Sequence, residues 1–177
     1  NKTEISQLLT DKNYVQFDNY LRLMKIVTSA TDEKTKTIDD AKVLKEGEGL
    51  LPKEDLQKSL NIYKLNYYIS HENYQGYEKT ALEYYKNTDE FNASELLAAA
   101  GVFNDHISNP KSLQMAARWA EKVVMSQENF DSTSILASLY DKLGKKDEAK
   151  MFAGMAANFA KQENRDGTKM NEILNKK

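Results

Sequence analysis

The stretches Ala116-Ala-Arg-Trp-Ala-Glu-Lys-Val-Val124 and Ala149-Lys-Met-Phe-Ala-Gly-Met-Ala-Ala157 carry one pattern, thirty-three residues apart. Between them runs Leu136-Ala-Ser-Leu-Tyr-Asp-Lys-Leu-Gly144. Each outer stretch opens on a small residue. The middle one ends in a glycine suited to the left-handed C-cap. A period of about thirty-four residues, with a small residue anchoring each second helix, is the mark of stacked helical hairpins. Ala116 and Ala149 fall where each second helix must approach its own first helix. A larger side chain there would force the pair apart. Such arrays build binding surfaces rather than active sites.

Helical spacing continues outward from this core. Tyr14, Phe17, Leu21 and Met24 form one stripe, and Ile38, Ala41 and Leu44 a shorter one. Gly47 and Gly49 interrupt the pattern, and Pro52 suits the first turn of the next helix. There Leu56, Leu60, Tyr63 and Tyr67 share a face, followed by Tyr74, Tyr77, Ala81 and Tyr84. Asn92 and Glu95 have capping-box spacing ahead of Leu96, Ala100, Phe103 and Ile107. Asn109-Pro110 supplies a cap and a first-turn proline before Leu113, Ala116, Ala120 and Val123. Leu136, Leu139, Tyr140 and Leu143 make the next stripe, and Ala149, Ala153, Ala156 and Ala160 the last long one. Met170, Ile173 and Leu174 predict a short terminal helix that covers the end of the array. No stretch sustains a period of two. The expected fold is all-α, with about nine helices and no sheet. Residues 1–92 read as an irregular helical portion, and 93–177 as hairpins with a C-terminal capping helix, in one continuous array.

The 177 residues suffice for one domain or one array. With 25 Lys and Arg against 27 Asp and Glu, spread evenly, no basic footprint for nucleic acid emerges. No apolar run approaches the roughly 20 residues that span a bilayer, so membrane insertion is not expected. Cysteine is absent, which rules out disulfides, thiolate–zinc sites and cysteine nucleophiles. His71-Glu72 begins like a zinc-protease helix, but Gln75 stands where the second His is needed. Both histidines, His71 and His106, therefore read as structural. The pairs Asp39-Asp40, Asp89-Glu90 and Asp147-Glu148 read as helix starts or solvated faces, since adjacent helical residues point apart. There is no phosphate-binding glycine loop and no nucleophile elbow. No cofactor, no metal and no enzymatic activity are expected. The opening at Asn1 without Met suggests a mature or truncated product.

Residues 93–165 resemble two tetratricopeptide-type repeats. In the second, Leu136, Ala137, Tyr140, Gly144, Ala149 and Ala156 fall at the family's packing positions. Thr133 stands at its usual tryptophan position and Lys161 at its proline position. The first repeat matches through Ala116 and Val123, with 107–112 replacing the usual turn. The run from Ala116 to Ala149 is also similar to the helical region that follows the thioredoxin-fold domain in a group of secreted or periplasmic bacterial thioredoxin-family proteins. The redox domain itself is missing, as there is no Cys-x-x-Cys. The resemblance implies a non-catalytic protein–protein interaction module, an accessory region located in the periplasm or secreted. Its partner would be a protein or peptide, a thioredoxin-fold domain being the first candidate.

By the repeat alignment, Asp131, Ser134, Ser138, Asp141 and Lys142 face the groove that such arrays present. An alternative rests on Tyr63, Tyr67, Tyr68, Tyr74, Tyr77, Tyr84 and Tyr85. These could form an aromatic surface for a peptide or oligosaccharide on the cell envelope, or simply pack between hairpins. Trp119 either braces two helices or sits exposed at an interface, and its neighbours Arg118 and Glu121 suggest a helix edge with one side wet.

Overall fold

The computed structural model describes residues 11–176, and across them the chain is all-α apart from one minimal hairpin. Two compact units form, Asn1–Thr80 and Ala81–Lys177.

In the first unit, α1 (Asp11–Ser29) leads into a two-stranded antiparallel hairpin, β1 (Thr31–Asp32) and β2 (Thr37–Ile38). The short helix α2 (Asp40–Glu46) and the long α3 (Lys53–Ser70) follow, and α4 (Tyr74–Tyr84) begins in this unit and ends in the second. The hairpin is a correction to the expectation of no sheet. Its strands have two residues each, too short to show alternation. Its turn lacks Gly and Asn, and Lys36 itself takes the left-handed conformation at φ 53°. The carboxylate of Asp32 closes the turn by accepting the Lys34 and Thr35 amides at 2.8 and 3.2 Å. These bonds hold Asp32 below the usual carboxylate range. The stripe on α1 is also displaced: Leu23, Val27 and Ala30 are buried, while Phe17 and Leu21 stay exposed. On α2 the buried residue is Val43, not Ala41 or Leu44.

The hairpin is fastened to the C-terminal end of α3. The Tyr67 hydroxyl donates to Glu33 at 3.0 Å. Lys36 Nζ donates to the His71 carbonyl at 2.7 Å, and Asn73 Nδ2 donates to the Lys36 carbonyl at 2.8 Å. His71 stacks on Tyr67 with ring centroids 4.0 Å apart, and its Nδ1 sits 2.8 Å from the Tyr67 carbonyl. The histidine is thus built into a helix end. At Gly76 a Cβ would meet the Tyr68 ring at 3.0 Å, so glycine is what lets α4 approach α3.

The second unit holds α5 (Ala93–His106), α6 (Pro110–Ser126), α7 (Phe130–Lys142), α8 (Lys146–Glu163) and α9 (Thr168–Asn175). Asn92 and Glu95 form the expected capping box, at 3.0 and 3.3 Å. Asn109 caps α6 with Pro110 in its first turn. Gly144 turns left-handed at φ 72° after α7, where any other residue would be strained. Connections 107–109, 127–129 and 143–145 are three residues long, so consecutive helices must fold back on each other. Each packs on the next, and α5 also touches α7. The terminal α9 packs on both α7 and α8, burying Met170 and Ile173.

The alanines do what the sequence asks of them. Ala116, Ala149, Ala153 and Ala156 are all but inaccessible, as is Thr133 at the first turn of α7. Trp119 is not at an edge. It is fully buried, with its ring centroid 5.0 Å from Phe103 and 5.5 Å from Tyr85. Phe91 and Tyr84 extend the cluster edge-to-face. Removing so large a ring leaves a cavity that a close-packed helix stack cannot fill. Trp119→Ala is expected to cost about 3–5 kcal/mol in urea unfolding. Met125→Ala, at a side chain 89% exposed, should move the same curve by less than about 0.5 kcal/mol.

Candidate functional site

Four of the five candidate groove residues on α7 reach the surface, and each has a partner inside its own unit. Asp131 accepts both Arg165 guanidinium nitrogens, at 2.6 and 3.2 Å. The same guanidinium lies 4.0 Å over the Phe130 ring, and its pKa is raised by the Asp131 bonds. Asp141 pairs with Lys176 at 2.5 Å. Lys142 Nζ donates to the Asn104 carbonyl and so ties α7 to α5. Ser134 donates to the Asp131 carbonyl at 3.1 Å. Ser138 does not face an open groove. It is 4% exposed, and its hydroxyl turns back to the Ser134 carbonyl at 2.9 Å. The two carboxylates therefore mark a surface whose charges are matched by residues beyond α8.

The tyrosines mostly pack. Tyr67, Tyr68, Tyr77 and Tyr85 are buried, and Tyr84 joins the cluster around Tyr85 and Phe91. Burial, then the Glu33 hydrogen bond, pushes the Tyr67 phenol up to about 12. Burial alone is the main cause for Tyr85, also about 12. Tyr140 is raised too, by burial and by its bond to Glu121.

A surface that the sequence did not single out lies in the first unit. A cleft of about 520 Å³ opens between α1 and α3. From α1 it is lined by Tyr20, Leu23, Met24 and Val27, at spacing i, i+3, i+4, i+7. From α3 come Ser59, Ile62, Tyr63, Asn66, Tyr67 and Ser70, which continue the same spacing to i+11. Helix α2 packs against both α1 and α3. Among the described residues no charged side chain lines the cleft, in a chain where 29% of residues are charged. Of the tyrosine group, only Tyr63 and Tyr67 reach it. Tyr20 lies outside the Tyr14–Phe17–Leu21–Met24 stripe that spacing picks on α1, and Ile62 outside the Leu56–Leu60–Tyr63–Tyr67 face of α3. The available signal was the width of the apolar arc on α1, which runs from Leu23 and Val27 through Tyr20 and Met24 to Phe17 and Leu21.

Among the described residues no group of three or more His, Asp and Glu could hold a metal ion. No helix there is long and apolar enough to cross a membrane. Compared with known protein families, curated proteins and solved structures, the chain matches none.

The raised phenols give a pH signature. Folded Tyr67 and Tyr85 keep their protons above pH 10, the ordinary value at which the unfolded chain releases them. The folded state then binds more protons, so their contribution to stability is complete below pH 10 and is lost as pH rises from 10 to about 12. An ultraviolet titration should show a late fraction of phenols ionising near pH 12. Glu33→Gln should bring Tyr67 down and leave Tyr85 in place.

Proposed function

We propose that the chain is a non-catalytic, tetratricopeptide-like interaction module. In this reading it is the accessory region of a periplasmic or secreted thioredoxin-family protein, and a thioredoxin-fold domain is the first partner to expect. One observation carries it: α5 touches α7 directly, across the intervening α6. First helices of successive hairpins that meet in this way make a continuous, stiff face, and a stiff face binds without an ordering cost. Asp131, Ser134, Asp141 and Lys142 lie on α7 within that face. Arg165 and Lys176, which hold the two carboxylates, are themselves 40% and 55% exposed. Exposed pairs of this kind are weak, so a partner's cations can displace them. The link to thioredoxin-family proteins is supported by the sequence resemblance over 116–149. The aromatic alternative has less behind it, since most of its tyrosines are packed.

The test uses the whole chain, immobilised, with a periplasmic thioredoxin-fold domain in solution. Micromolar binding is expected, weakened about tenfold, or 1.4 kcal/mol, by Asp131→Ala with Asp141→Ala. No binding up to about millimolar domain, or binding indifferent to the double substitution, would remove the reading.

A further inference from the structure

Helices α1 and α3 present more apolar surface than their unit buries. Around α1, Leu23 and Val27 are buried and line the cleft together with Tyr20 and Met24, and Phe17 and Leu21 come next and lie open. Across the cleft, Ile62 and Ile69 form the opposite rim. Tyr20, Leu21, Ile62 and Ile69 are between 41% and 52% exposed, Phe17 adds to the α1 side, and Val15 lies open on the opposite flank of α1. Among the described residues the other large apolar side chains so exposed are Met125 and Met151, each alone on its own helix. Apolar exposure is thus concentrated on one two-helix face, and concentration of this kind marks an interaction surface.

The face has the form of a bundle short of one helix. Two stripes at helical spacing flank an uncharged groove, which suits the apolar stripe of a further helix. Among the described residues one exposed stripe meets that description, and it is the Phe17–Leu21 edge of α1 itself. We propose that two copies of the chain associate through this face, their α1 helices antiparallel about a twofold axis near Leu21. Each copy lays the Phe17–Leu21 edge of α1 into the α1–α3 cleft of the other. One operation then covers both the open stripe and the groove, as an isologous interface requires.

Charge along α1 agrees with the antiparallel sense. Asp18 lies towards the N-terminal end of the contact, and Arg22 and Lys25 lie towards the C-terminal end on the same flank. Antiparallel pairing brings Asp18 towards the partner's Arg22 and Lys25, whereas parallel pairing would align Lys25 with Lys25. Asp18 and Arg22 already pair along the helix at 2.9 Å, and both are accessible to a second copy. The scale is also adequate. Helix α1 is about 28 Å long, and two helix faces from each copy can supply the roughly 800 Å² per partner that stable complexes bury.

The inference does not depend on the hairpin face of the second unit, and its test leaves that face untouched. Sedimentation of the full chain is expected to show a dimer that dissociates at micromolar concentration. Leu21→Asp should weaken it at least about tenfold without changing the circular dichroism, and Met125→Asp should leave it intact. The absence of cysteine allows a direct geometric check. Leu21→Cys, close to the axis, should oxidise to a covalent dimer, while Met125→Cys should not do so at the same concentration. Asp18→Lys should weaken association, and adding Lys25→Asp should restore it. A wild-type chain that stays monomeric to about 1 mM overturns the proposal, as does a dimer indifferent to Leu21→Asp. Occupation of the groove by an added amphipathic peptide in a monomeric chain would likewise overturn a second copy as its occupant.

Discussion

The second unit depends on how closely two helix backbones can approach. Ala116, Ala149, Ala153 and Ala156 have almost no accessible surface, so the methyl group sets the spacing of the hairpins. Where the spacing widens, large residues fill it: Trp119, Phe103 and Tyr85 form a single edge-to-face cluster. Three-residue connections leave the helices little choice but to fold back, and the caps at Asn92, Asn109 and Asn129 fix where each begins. Small residues, short loops and caps therefore act together, and no one of them would specify the stack alone.

The first unit is held differently. Its hairpin and the end of α3 are joined by polar bonds among Glu33, Lys36, Tyr67, His71 and Asn73. These bonds fix geometry but bury little apolar area. Helix α2 packs on both helices that flank the cleft, and its buried residue is Val43. That division explains why one unit finishes its core and the other leaves a groove between two amphipathic faces.

Legibility in the sequence follows the same division. In the second unit the stripes read from spacing are buried except at Leu143 and Leu174, which are half-buried, because each helix has one apolar face. In the first unit α1 has an apolar arc of about 160°, so spacing alone could not say which part faces the core. Phe17 and Leu21 were chosen, whereas Leu23 and Val27 are the buried pair. The hairpin at Thr31–Ile38 was invisible because its turn uses Lys36 at a conformation that ordinarily calls for Gly or Asn. On α7, Asp131, Ser134, Asp141 and Lys142 could be placed at the surface from the repeat register. Their partners Arg165 and Lys176 could not, since those contacts depend on how the chain returns after α8. The cleft was hidden for a further reason: it is shaped by a spacing between helices, and spacing between helices is not written in either helix.

The burial of Trp119 has a practical side. It is the single tryptophan of the chain, and it sits beside Tyr85 in a ring cluster that includes Tyr84. Light absorbed by those phenols can pass to the indole, so emission reports on the interior of one unit. The tyrosines around the cleft belong to the other unit, which has no indole of its own. An emission signal that holds steady therefore speaks for the hairpin stack alone, and loosening around α1 would have to be followed by another optical probe.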